Sequence, residues 1–311
     1  MQDLRDKLVT LVGGSGFIGR YTVRALARTG IRIRVAGRDP RHAYNLRPQA
    51  AIGQIQAVAC DITRPETLAR AVEGSWGVVN LVGILNGRFD LVQRDGARAV
   101  AEAAASAGVE RLVHISAIGA DATSASAYGR SKGEGEQAVR AAFPAATILR
   151  PSIVFGPEDQ FLNRFAQLIR RLPVVPVIAP ATRFQPAYVG DVGRAIVAAL
   201  TDGAHAGELF ELGGPETLSM LELNQLIAEL TGRRRVFVPV PHVAAQALAA
   251  GLGWLPGAPI TSDQLLMLAR DNVANLRGFS ALGIRPVPIE AVADGWLVQY
   301  KKRGRFANRG T

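Results

Sequence analysis

Short apolar runs rich in Val, Ile and Leu alternate with longer segments of helical periodicity from the start of the chain through Arg150. Runs at 8–12, 31–36, 54–60, 78–82, 111–116 and 147–150 read as strands. Between them helices are expected over 16–29, with Gly30 as a C-terminal stop, over the alanine-rich 97–107, stopped by Gly108, and over 128–142. Thr63-Arg64-Pro65-Glu66 has capping-box spacing with proline at the first helical position, so a short helix is expected there too. Six strands with intervening helices predict a doubly wound, parallel α/β sheet.

Beyond Pro151 the pattern changes. The segment 172–180 carries three prolines, so it cannot be a continuous helix or a central strand, and it reads as an irregular apolar stretch entering a smaller subdomain. Ser219-Met220-Leu221-Glu222 repeats the capping-box spacing and opens a helix ending near Gly232, and 261–272 is a further helix candidate. The run 241–255 is apolar nearly all round, the mark of a buried helix or, alternatively, of a lipid-facing one.

Composition narrows the partners. With 311 residues and 48% hydrophobic content, the chain has room for a large domain and a smaller companion. No apolar run reaches membrane-spanning length, and Met1 to Lys7 lead directly into the first strand, leaving no expected signal or transit peptide. The lone Cys60 excludes an internal disulfide, and four scattered histidines offer no ligand spacing, so no metal is expected. A formal charge of +10 favours an anionic partner: a cofactor, a phospholipid surface or an acidic protein. Nucleic acid is not expected, because no basic stretch is interleaved with stacking aromatics. The tail Lys301-Lys302-Arg303-Gly304-Arg305 reads as solvated, or as able to dock on acidic lipid or protein.

Two motifs carry chemistry. Where the first strand gives way to a helix, Gly13, Gly16 and Gly19 are spaced G-x-x-G-x-x-G, the start of a dinucleotide site. The first turns the chain, the second lets backbone approach a pyrophosphate, and the third packs helix on strand, while the helix start offers N–H groups to phosphate. Tyr128 and Lys132 stand one helical turn apart, an arrangement in which an ammonium can stabilise a phenolate or bind ribose hydroxyls. At the end of the second strand, where an acidic residue would select a free ribose 2′-hydroxyl, Gly37 and Arg38 come first. A guanidinium there favours a 2′-phosphate and hence NADPH over NAD(H), with Asp39 as the competing acceptor.

With Gly13, Gly16, Gly19, Tyr128 and Lys132 in that order, the chain resembles the short-chain dehydrogenase/reductase superfamily in its extended or atypical branch. The likeness takes in Asp61-Ile62, where the superfamily contacts adenine, and Asn80-Leu81-Val82-Gly83 after the fourth strand. It also takes in the Arg150-Pro151 turn running to Gly156-Pro157, which lies beside the nicotinamide in that branch. Segments 80–85, 111–120, 155–159 and 183–192 are similar to the NADPH-binding accessory subunits of respiratory complex I, the NADH:ubiquinone oxidoreductase, and their bacterial counterparts. The resemblance implies a Rossmann domain holding NADPH through Gly13, Ser15, Gly16, Phe17, Ile18, Gly19, Arg38, Asp61, Ile62, Leu81, Val82, Tyr128, Lys132 and Pro151. It implies other complex I subunits as partners, at the cytoplasmic face of a bacterial inner membrane or on the mitochondrial matrix side. The expected organisation is a nucleotide-binding domain over 1–171, to which 184–213 returns, a smaller mixed subdomain over 172–303, and a basic tail over 304–311.

One departure bears on activity. Active members of the branch carry hydroxyls after the fifth strand, whereas here Ser116 is followed by Ala117 and Ile118, and the expected catalytic serine falls closer to Ile118. Without a hydroxyl to polarise a carbonyl, Tyr128 and Lys132 would bind ribose but support hydride transfer poorly. Ser116 then reads as a strand-end serine, with Ser124 and Ser126 as alternative donors nearby. Two readings result: a non-redox, nucleotide-holding structural subunit, or a working NAD(P)-dependent reductase, epimerase or dehydratase. His114, Cys60 and Asp191 have structural readings, as a packed imidazole, a small apolar residue and a helix cap.

Overall fold

The computed structural model of the chain describes residues 4–252, 260–276 and 278–302, so the end of the apolar run 241–255 and the basic tail from 303 lie outside the described residues. Through Pro151 the order is β1 (Leu8–Val12), α1 (Phe17–Ala27), β2 (Arg32–Gly37), β3 (Ile55–Ala59), α2 (Pro65–Val72) and β4 (Gly77–Asn80). Then come α3 (Gly96–Ser106), β5 (Arg111–Ile115), α4 (Ala127–Ala142) and β6 (Thr147–Pro151). The chain continues through β7 (Val154–Phe155), α5 (Leu162–Arg171), β8 (Val174–Ile178), β9 (Arg183–Phe184), β10 (Ala187–Tyr188), α6 (Val189–Thr201) and β11 (Leu209–Leu212). It ends with β12 (Leu218–Ser219), α7 (Met220–Leu230), β13 (Val236–Val240), α8 (His242–Leu252), α9 (Ser262–Leu268) and α10 (Ile289–Leu297).

Two units result. The first comprises Met1–Pro151, Val189–Leu212 and Asn275–Arg285. Its sheet has seven parallel strands in the order β11-β6-β5-β4-β1-β2-β3, one more than the six runs named from sequence. The seventh, β11, pairs with β6 from Leu209↔Ile148 to Leu212↔Pro151. Central strands such as β4 are buried at every position, as a sheet covered on both faces requires. Thr10 is the polar exception in β1, and its hydroxyl is satisfied by Ser75 Oγ at 2.7 Å and the Ala71 carbonyl at 3.0 Å.

The second unit comprises Ser152–Tyr188, Gly213–Ala274 and Pro286–Thr311. A core of Phe155, Leu162, Ile169, Leu223, Ile227 and Leu297 joins α5, α7 and α10. Asp159 shapes the entry to α5: its carboxylate accepts the N–H groups of Gly156, Phe161 and Asn163 at 2.8 to 3.2 Å. Burial pushes this carboxyl upward and the backbone donors pull against it.

Four expectations are corrected. Thr63 and Glu66 form no capping box; Arg64 is the N-cap of α2, and the Thr63 hydroxyl and N–H both donate to Asp61 Oδ1 at 2.8 and 2.9 Å. A local turn at the aspartate has won the competition for the threonine. The stretch 172–180 is not irregular: β8 pairs in parallel with β13, and a two-stranded ribbon has outer edges where Pro176 and Pro239 need donate nothing. The helix expected over 261–272 stops at Leu268, and Asn272 instead bridges to Phe184. Finally, α8 is not a buried helix, since among its described side chains only Ala245 and Ala249 are buried and Val243 is 76% exposed. The box at Ser219 forms as expected, Ser219 N donating to Glu222 Oε2 at 2.8 Å and Glu222 N to Ser219 Oγ at 3.2 Å.

Candidate nucleotide-binding site

The C-terminal ends of β1, β2 and β4 converge where the strand order reverses, the place at which open α/β sheets hold ligands. Gly13 turns the chain there with φ +82, a left-handed conformation that disfavours any side chain, and a Cβ would stand 3.0 Å from Val82 Cγ2. Leu81 and Val82 therefore wall the turn. Gly19 serves contact, since a Cβ would collide with the Gly14 carbonyl. Gly16 differs from both: it is exposed, and its absent Cβ would meet only the Gly13 oxygen, at 3.2 Å. The open space lies on the ligand side of the turn.

Gly16 is also the N-cap of α1, with no side-chain cap and no acidic residue in the first turn. The leading N–H groups, from Phe17 and Ile18 onward, are thus left for an external acceptor. The Phe17 ring packs edge-on against Tyr21 at 6.1 Å, fixing that turn. Ser15 Oγ lies 3.7 Å from where a Cβ on Gly37 would be, which brings the end of β2 to the glycine turn. Arg38 follows, exposed. Asp61 is held below the ordinary carboxylate range by hydrogen bonds from Thr63, with Arg38 among the charges that contribute. Arg38 and Asp61 therefore flank one rim, with Ile62 buried behind them. Asp39 is committed elsewhere: it caps the following turn through Arg41 N and receives the Arg41 guanidinium at 2.7 to 3.1 Å, which pulls its pKa to about 2.

On the other side, Ser126 caps α4 by accepting from Gly129 N at 3.2 Å, and Ser124 Oγ accepts from Ser126 N at 3.3 Å. Both serines serve the helix start. Tyr128 follows, its ring edge-on to Phe89 at 5.9 Å, and burial pushes its phenol up to about 12. The phenol is protonated at neutral pH. Lys132 Nζ donates to the Ile115 carbonyl at 3.1 Å and lies beneath Gly83, where a Cβ would stand 3.3 Å from the ammonium. Burial lowers Lys132 to about 8, with Glu136 opposing.

Ser116 is buried just past β5, and its Oγ has no hydrogen-bond partner among the described residues. Its N–H donates to Leu149, and Ile118 N donates to Pro151, so both positions are tied to the end of β6. Ile118 is itself buried. No hydroxyl therefore stands at that position.

His114 is a packed imidazole, as expected, but sequence reasoning missed the buried polar groups that accompany it. Asn80 Oδ1 accepts from Val82 N, which leaves its amide nitrogen 3.2 Å from His114 Nδ1 and places the imidazole proton on Nε2. Gln93, in a π-helical turn over Asp90–Asp95, donates to Ser131 Oγ at 2.9 Å. Nothing in the local pattern marks Gln93, whose burial depends on α4 lying over the turn.

An open glycine turn, an uncapped helix start, a flanking guanidinium and a lysine under the next strand end are the donor set that a nicotinamide dinucleotide requires. The model of the NAD-dependent epimerase/dehydratase family matches residues 9–213. This chain belongs to that family. The family member named NADH dehydrogenase [ubiquinone] 1 alpha subcomplex subunit 9, mitochondrial, from Mus musculus is 35% identical over 293 residues, 91% of this chain and 78% of the mouse protein. The ceramide reductase of Caulobacter vibrioides is 39% identical over 198 residues, 61% of this chain and 60% of that enzyme. Among solved structures, an NADPH-dependent quinone oxidoreductase from Escherichia coli complexed with NADPH superposes with a TM-score of 0.76 at 20% identity, covering 92% and 98% of the two chains. The epimerase/dehydratase-family chain therefore has an NAD(P)-binding fold, as its glycine spacing implied.

Proposed function

We propose that this protein is an NADP(H)-binding, non-redox accessory subunit of respiratory complex I, peripheral to the cytoplasmic face of a bacterial inner membrane. The observation that carries this reading is a likeness to the mouse NADH dehydrogenase [ubiquinone] 1 alpha subcomplex subunit 9 spanning 91% of the chain. The site is consistent with it. The glycine turn of β1 and α1 is open for pyrophosphate, whereas the position where a carbonyl-polarising hydroxyl is needed is held by Ile118, and the Ser124 and Ser126 oxygens accept backbone N–H groups at the start of α4. Bound nucleotide would supply a negative charge to the uncapped start of α1 and stabilise the fold without transferring hydride. Arg38 is free of Asp39, which Arg41 engages, and this favours a 2′-phosphate and so NADPH. Among the described residues no helix is long and apolar enough to cross a membrane, in keeping with a peripheral place.

Deleting the gene should lower assembled complex I; Tyr128→Phe should restore it and Gly16→Val should not. Normal complex I in the deletion strain would refute the proposal. A second reading, a reductase, is favoured by Ser116, whose buried Oγ lacks a partner among the described residues, and by the likeness to ceramide reductase. Repeated turnover of a carbonyl substrate that disappears in both Tyr128→Phe and Ser116→Ala would establish it.

A further inference from the structure

The parallel ribbon of β8 and β13 is apolar on both faces. Val175 and Val177 point into the core of the second unit. The other face holds Val174 (48% exposed), Pro176, Val236 (61%) and Val238 (45%), with Val174 paired to Val236 and Pro176 to Val238. A solvated strand face is ordinarily polar at those positions. Because the strands are parallel, the segments entering them lie at the same end, and both are basic: Arg170-Arg171 ahead of β8 and Arg233-Arg234-Arg235 ahead of β13.

These guanidiniums are crowded and uncompensated. Among the described residues none of the five forms an ion pair with a carboxylate. Arg233 spends its donors on the Tyr300 carbonyl, Arg235 on that of Ile169, and Arg170 lies over the Tyr300 ring at 5.8 Å. Burial, then Arg235 and Arg170, disfavour the charge on Arg233, as close like charges must. Arg171 and Arg234 remain exposed at the rim of the valine face.

We infer that this face docks on an anionic phospholipid bilayer, Val174, Pro176, Val236 and Val238 entering the headgroup–acyl boundary while Arg171 and Arg234 meet phosphates. Aliphatic side chains beside arginines with long apolar stems match the order of layers in a leaflet. Two other occupants fit less well. Protein interfaces draw their central contacts from aromatic residues, and this face has none. A second copy presenting the same patch would bring no carboxylate to it. The inference does not depend on the complex I reading.

The test is flotation of the full-length protein with vesicles of phosphatidylcholine alone or mixed with phosphatidylglycerol, alongside native membranes and sedimentation without lipid. Wild type should float with the mixed vesicles only. Val236→Asp and Arg234→Glu should each reduce the bound fraction about tenfold or more, while Arg28→Glu, at an exposed arginine of the first unit, should change it less than about twofold. Unchanged circular dichroism would show that the variants fold. Failure to float with the vesicles that contain phosphatidylglycerol overturns the inference, and binding to native membranes alone would then assign the face to a protein partner. Sedimentation as a dimer that Val236→Asp dissociates, without flotation, would assign it to a second copy. Equal losses in Arg234→Glu and Arg28→Glu with none in Val236→Asp would reduce the effect to net charge and overturn it equally.

Discussion

Of two bases buried close enough to feel each other's charge, Lys132 carries a proton at neutral pH and His114 does not. Burial, and then the Lys132 charge, push the imidazole down to about 3, while Lys132 itself falls only to about 8. The interior accommodates one positive charge there, and the Ile115 carbonyl, 3.1 Å from Nζ, holds it.

A charge so placed makes stability depend on pH in a definite direction. Lys132 titrates at about 8 when folded against 10.5 as a free side chain, so in that interval the unfolded chain binds more protons and this residue makes stability rise with pH. Below that interval the buried ammonium costs about 3 kcal/mol. Lys132→Met should therefore stabilise the nucleotide-free protein near neutrality by up to that amount, with the gain vanishing toward pH 10.5. Denaturant midpoints across that range measure it, and a variant less stable than its parent at neutral pH would contradict the assignment.

Arg38 should separate the two nicotinamide cofactors. Arg38→Ala is expected to weaken NADPH binding by about 1.5–3 kcal/mol, the scale of a hydrogen bond to a charged group, and to leave NADH binding nearly unchanged. Calorimetry giving equal losses for both would remove the 2′-phosphate contact.

The glycines of the turn should fail in different ways. Gly16→Val adds bulk on the open side, so the protein should melt normally and lose nucleotide. Gly19→Val drives a side chain into the Gly14 backbone and should lower stability by about 1–3 kcal/mol even without nucleotide. If Gly16→Val retains nucleotide, the motif is only a turn.

Arg150 should be among the costliest residues to remove. Its guanidinium donates bidentately to Glu136 at 2.7 and 2.8 Å and pairs with Glu211 at 3.5 Å, joining α4, β6 and β11. Arg150→Met leaves two buried carboxylates facing one another, with an expected loss of about 3–5 kcal/mol in urea unfolding. A loss below about 1 kcal/mol would mean that water already solvates the cluster.

What could be read from sequence was mostly local. The glycine spacing, the Tyr128–Lys132 helical turn and the Ser219 box each place their partners within a few residues, so pattern and geometry coincide. Features made by distant partners were not legible. Thr63 was claimed by Asp61 rather than by its helix, Gln93 became buried because α4 covers it, and β8 became a strand because β13 arrived beside it. The exposure of α8 belongs to the same class: an all-apolar helix is buried only where neighbours exist to bury it.

The outer partner of β6 lies more than fifty residues further on, in β11, and the last stretch of the first unit is Asn275–Arg285. A chain emerging from the ribosome therefore has its glycine turn and Lys132 long before it can complete the sheet. Until Leu209–Leu212 appears, β6 is an open edge, the kind of edge that recruits foreign strands. Cutting the gene after Pro151 would not release a free-standing nucleotide domain but fix the nascent stage permanently, with its ligand cradle built and its flank unguarded.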